Sequence, residues 1–128
     1  MFNKHSRTAR LVVGLAGLAI VVGACGGGGS DKYSIGYSNG GGVGNGFREE
    51  QVCTAKAEAL SSGKVETLTT IHRNTDAAGQ LADIRDLIAK GVKAIVFNPN
   101  DPEALNPALD EAKAAGIVTV SVDATVTH

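Results

Sequence analysis

The sequence predicts an α/β fold: a parallel sheet with helices packed on both faces. Three observations carry the prediction. From Lys32 onward, short runs rich in β-formers alternate with runs of helical periodicity. Gly63, Gly91 and Gly116 each follow a helical run, where a left-handed residue is cheapest. The run Ala94-Ile95-Val96-Phe97 is apolar without a break, as expected of a strand buried on both faces.

The elements follow in order. Residues 33–38 form the first strand, and Asn39 opens a loop containing Gly40, Gly41, Gly42, Gly44 and Gly46. Residues 47–60 are a helix, with Val52, Ala55, Ala59 and Leu60 at helical spacing. Residues 65–71 are rich in Thr and Val and make the second strand. Asn74, Thr75 and Asp76 offer N-caps for a helix whose apolar stripe is Ala77, Leu81, Ile84, Leu87 and Ile88. After the strand at 94–97, Asp101 caps a turn with Pro102 at a first-turn position. Pro107 cannot lie deep within a helix, so the next helix starts at Asn106–Pro107 and uses Leu109, Ala112 and Ala115. Residues 117–122 are the fourth strand. Right-handed crossovers should join the strands.

Ligands of such sheets bind beyond the carboxyl ends of the strands. Four segments qualify: 39–48, 72–74, 98–100 and 123–125. Asn98 offers a donor and an acceptor, and ionised Asp123 only acceptors. Such a pair suits neighbouring hydroxyls of a polyol. Phe47 can lie against the apolar face of a sugar ring, and Arg48 can reach an oxygen. Each has a plainer reading: Asn98 as a turn residue before Pro99, Asp123 as a helix cap, Phe47 as a core anchor, Arg48 as a solvated helix start. His72 reads first as a surface histidine and Cys53 as a small buried hydrophobe.

Several classes are excluded. The glycine-rich loop has no G-x-G-x-x-G spacing from Gly40, Gly42 or Gly44, and no G-x-x-x-x-G-K-[ST] exists. No cofactor is expected. No Cys-x-x-Cys or His-Glu-x-x-His motif suggests a metal. No nucleophile elbow or triad order suggests an enzyme.

The first thirty residues read differently. Lys4, Arg7 and Arg10 precede twelve residues, 11–22, that are all apolar or Gly. Twelve helical residues span roughly 18 Å against a ~30 Å hydrocarbon core, which suits the apolar region of a signal peptide. Val22-Gly23-Ala24-Cys25 resembles the bacterial lipobox, although Val stands where Leu is usual. The resemblance implies cleavage after residue 24 and a lipid on Cys25. The plainer reading is an ordinary secretory signal with an incidental cysteine. Residues 25–31, with Gly26 to Gly29 and Ser30, then form a flexible tether. Without residues 1–24, nine basic and thirteen acidic side chains remain, a net charge of −4 and no nucleic-acid footprint. Cys53 is then the only cysteine besides Cys25, so no internal disulfide forms.

Residues 32–128 resemble the N-terminal lobe of type I periplasmic binding proteins, the ribose-binding-like sugar receptors of ABC importers. The resemblance is carried by Gly91-Val92-Lys93-Ala94-Ile95-Val96-Phe97-Asn98-Pro99, by Ala112-Lys113-Ala114-Ala115-Gly116-Ile117-Val118-Thr119-Val120, and by Val122-Asp123. Asn45-Gly46-Phe47-Arg48 is similar to the first-loop motif, where Asn and aromatic residues contact sugar. Ile117-Val118-Thr119 departs from the usual Ile-Pro-Val. The resemblance implies a Rossmann-like lobe, incomplete because the hinge and second lobe are missing, so the sequence reads as a fragment or a truncated product. It further implies ligand-binding roles for Asn45, Phe47, Arg48, Asn98 and Asp123, a monosaccharide ligand, and a permease with an ATPase as partners. The place implied is the outer face of the cytoplasmic membrane, held by lipid. An exported sensor domain serving a membrane signalling protein uses the same lobe and stays open at this point.

Overall fold

A computed structural model describes residues 32–128. The signal segment, Cys25 and the tether lie outside the described residues. The order is β1 (Tyr33–Gly40), α1 (Gly46–Ser61), β2 (Val65–Arg73), α2 (Ala77–Ala89), β3 (Ala94–Asn98), α3 (Asn106–Ala114) and β4 (Val118–Ser121). All three strand pairings are parallel, and the sheet order is β2-β1-β3-β4. Three strands are longer than their β-rich runs, β3 by Asn98 alone. β1 continues through Asn39 to Gly40, and β2 through His72 to Arg73, because these ends pair with each other.

The two faces of the sheet differ. On one, Ile95 and Phe97 of β3 meet Ile84 and Leu87 of α2 and Leu109 and Ala112 of α3 in a closed apolar core. The helical runs reach this core because residues 84 and 87, and 109 and 112, lie on one helix face. Leu105, Val92 and Ile117 complete it. The other face carries α1, which buries only Val52. Period-two alternation puts Ile35 and Tyr37, Ala94 and Val96, and Val118 and Val120 on this side. α1 covers the β2 and β1 end of it, while Val118 and Val120 stay exposed.

Four expectations are corrected. β3 is deeply buried on one face only, since Ala94 and Val96 are half-buried. Leu60 is 85% exposed, because it lies at the end of α1 beyond the sheet's cover. Cys53 is exposed rather than buried, being next to Val52 on the outer side of α1. Ala115, expected in the α3 stripe, is exposed at the C-cap. Asp101 accepts from the N–H groups of Glu103 and Ala104, both at 2.8 Å, and Pro107 stands in the first turn of α3, as expected.

Three carboxyls are held below their ordinary values: Glu111 by Arg85 across α2 and α3, Asp101 by its two backbone N–H groups, and Glu49 by the Gly44 N–H and then by His72. A depressed folded value means that the folded state binds fewer protons. The stabilisation is full above the unfolded values and is lost as pH falls through the folded ones. Thermal melts of the protein should therefore be level above pH ~5 and shift to lower temperature below the 4.5 of an ordinary glutamate. A melting temperature that holds constant down to pH ~3 would show that these contacts contribute nothing.

Candidate ligand-binding site

The open face ends in a polar row. Register places His72 beside Asn39 and Asn39 beside Asn98, so three polar side chains follow the apolar rows across β2, β1 and β3. Asn39 and Asn98 are fully buried. Their amides converge on Gln51 of α1, whose Oε1 accepts from Asn39 Nδ2 at 3.2 Å and from Asn98 Nδ2 at 3.1 Å. Asn98 Nδ2 also donates to Asp123 Oδ2 at 3.0 Å. Asp123 is acceptor-only when ionised, which fixes the direction of the Asn98 amide. Asn98 Oδ1 is consequently buried with no hydrogen-bond partner.

Charge enters from two sides. Arg48 Nη1 lies 3.7 Å from Asp123 Oδ2 and makes a long contact, 3.5 Å, with Asn39 Oδ1. Asp123 reaches this position with φ 67°, the left-handed region that Asp tolerates better than most residues. Its carboxylate is turned to Asn98 and Arg48, not to a backbone N–H as a helix cap would be. On the far side, His72 Nε2 lies 3.2 Å from Glu49 Oε1 and Nδ1 lies 3.0 Å from the Asn39 carbonyl. His72 is thus a tie between β2, β1 and α1 rather than a surface histidine. Tyr37, beneath Asn39, is buried, and desolvation pushes its hydroxyl above the ordinary value, so it stays neutral.

Asn98, Asp123 and Arg48 are therefore brought together. Phe47 is near them but not in the core: it is 56% exposed and lines a groove of about 550 Å³ with Tyr37, Gln51, Val96 and Val122. The core-anchor alternative does not hold. Asn45 has a separate local task. Its Oδ1 caps α1, accepting from the N–H groups of Phe47 at 3.1 Å and Arg48 at 3.3 Å. Among the described residues, no group of three or more His, Cys, Asp or Glu side chains is arranged to hold a metal. The site offers carboxylate and amide acceptors, a guanidinium donor and an aromatic face, which together match a small polyhydroxylated molecule.

Sequence reasoning missed Asn39 and Gln51. Asn39 continues the two-residue alternation from Ile35 and Tyr37, and Gln51 stands four residues after Phe47 and three after Arg48 on α1.

Comparison with known families matches residues 35–128 to the periplasmic binding protein domain. The chain belongs to this family. A ribose import binding protein of Bacillus subtilis is 36% identical over 53 residues, which cover 41% of this chain and 17% of that protein. A solved ABC transporter solute binding protein of Mycobacterium smegmatis, with bound glycerol, is 36% identical with TM-score 0.69, covering 76% of this chain and 33% of its own. The binding protein of an arabinose ABC transporter from Shewanella, bound to L-arabinofuranose, is 32% identical with TM-score 0.67, covering 74% of this chain and 30% of its own. The chain thus spans about a third of the length of these solved relatives.

Asn45→Ala should lower stability by about 0.5–2 kcal/mol through loss of the cap, and Asn45→Ser should restore most of it. Urea unfolding measures both. An unchanged midpoint in the alanine variant would show that the cap is idle.

Proposed function

We propose that the protein is the substrate-binding component of an ABC importer, taking a sugar or similar polyol outside the membrane and delivering it to a permease driven by an ATPase. It performs no chemistry on its ligand. The observation that carries the reading is the Asn98–Asp123 pair at 3.0 Å, with Asn98 Oδ1 buried and unpartnered beside it. Asp123 accepts from one hydroxyl, Asn98 Oδ1 from its neighbour, and Arg48 donates to an oxygen. Hydrogen bonds to charged groups contribute about 1.5–3 kcal/mol each, so two or three of them distinguish a polyol from water. Phe47 covers the apolar side of the ring. Membership of the periplasmic binding protein family, with relatives named for ribose and arabinose, supports this cargo over other polar solutes. The arrangement described is one wall, open to water, and tight binding needs an opposing surface in the complete protein.

Calorimetric titration of the complete protein with D-ribose, L-arabinose and glycerol tests the reading. At least one should bind, and Asn98→Ala or Asp123→Ala should weaken it by about tenfold or more, ~1.4 kcal/mol, with the melting temperature little changed. Unaltered affinity in both variants removes the pair from the site.

The same reading includes a lipid anchor on Cys25, supported by the stretch Val22-Gly23-Ala24-Cys25 and the glycines after it. Two or three acyl chains hold firmly where one holds marginally. Cys25→Ser should abolish incorporation of labelled fatty acid and move the protein to the soluble fraction. Labelling that survives the substitution places the lipid elsewhere.

A further inference from the structure

Behind the sheet, on the side away from the site, lies a buried amide. Gln80 occupies the inward face of α2, one turn before Ile84, and is fully buried. That position in a helix stripe normally takes an apolar residue, and a glutamine there needs its hydrogen bonds met. Its Nε2 donates to the Asn98 carbonyl at 2.7 Å and lies 3.4 Å from Ser38 Oγ. Its Oε1 accepts from the Asn100 N–H at 2.7 Å.

One side chain therefore pairs with both the C=O of residue 98 and the N–H of residue 100, as a neighbouring strand would. It does so across Pro99, which has no N–H to give. The backbone leaves room for this approach. A Cβ on Gly40 would stand 2.8 Å from Gln80 Cδ and 2.5 Å from Asn100 Nδ2. The peptide leaving Asn98 is thus pinned from behind, while the side chain on the same Cα projects to the opposite face, toward Gln51 and Asp123.

We propose that Gln80 is a positioning residue of the ligand site, fixing the turn at 98–100 and with it the direction in which Asn98 Oδ1 meets a ligand hydroxyl. The proposal rests on the binding function proposed above. Gln80 touches no ligand and acts through Asn98. Gln80→Leu keeps the volume and removes both bonds. Gln80→Glu keeps the acceptor for Asn100, and when protonated it can also donate to the Asn98 carbonyl. Burial raises a carboxyl's pKa, so this donor form persists to higher pH than in an exposed glutamate.

The test uses the complete protein and whichever of D-ribose, L-arabinose or glycerol it binds tightest. Two readouts are taken: calorimetric affinity, and the nitrogen-15 signals of the Asn98 side-chain amide without ligand. Gln80→Leu should weaken binding by about tenfold or more and shift the Asn98 amide signals, while the backbone signals of Ile35 and Leu68 stay in place. Gln80→Glu should bind close to wild type at low pH and fall away from it as pH rises. A leucine variant with wild-type affinity and unmoved Asn98 signals overturns the proposal. So does a glutamate variant that binds no better than the leucine variant at any pH. If the leucine variant does not fold, the glutamate series decides alone. If the wild type binds none of the three probes, the binding function fails instead, and the Asn98 signals decide the positioning role.

Discussion

The parallel register of β1 against β3 is the constraint on which the rest depends. It sets Tyr37 beside Val96 and Asn39 beside Asn98. A slip of one residue would turn every side chain of a strand to the other face. Phe97 would then leave the core, and Asn98 would leave the site. The slip is prevented from the apolar side, where Ile95 and Phe97 are locked under α2 and α3. The core on one face thus places the polar row on the other. The core and the candidate site draw on alternate residues of the same five-residue strand.

That division explains where polar groups are buried. A buried amide without partners costs about 1–3 kcal/mol, so folds of this size carry few of them. Asn39 and Gln80 have partners for the oxygens and nitrogens of their side chains. Asn98 has partners for its nitrogen and none for Oδ1. Of these three amides the exception lies at the carboxyl end of the central strands, next to a residue at positive φ, Asp123; Thr70 Oγ1 and Asn106 Oδ1 are also buried without partners. Unsatisfied acceptors and backbone strain concentrate at functional sites, because a ligand supplies what the fold withholds.

Much of this was legible in the sequence, for definable reasons. Elements were visible because glycines punctuate them and their apolar spacing is regular. Asn98 and Asp123 stood out because each follows an apolar strand run directly. Depth was not legible. Spacing tells which residues share a face and says nothing of whether that face is covered, so Leu60, Cys53 and the second face of β3 were misjudged. Gln51 and Asn39 were hidden differently. Each is an ordinary polar residue along the chain, and only the pairing of elements 12 residues apart, and of Asn98 with Gln51 across 47, brings them together. Gln80 was hidden for the same reason, since its partners lie 18 and 20 residues away.

The glycine-rich loop shows the same logic at its smallest scale. Glycine loops before a helix often cradle phosphate with free backbone N–H groups. Here those groups are taken: Gly44 N–H donates to Glu49 at 2.8 Å, and Val43 N–H donates to Asn74 at 3.0 Å. The loop's shape serves a neighbour instead. Gly42 has φ 71°, and a Cβ there would lie 2.6 Å from Arg48 Cγ. A side chain at residue 42 would therefore displace Arg48 from Asp123 and Asn39. Asn45 fixes the helix start, Gly42 clears the path of the guanidinium stem, and Glu49 ties the turn to His72. The glycines are there to admit an arginine to the strand ends, where it meets Asp123.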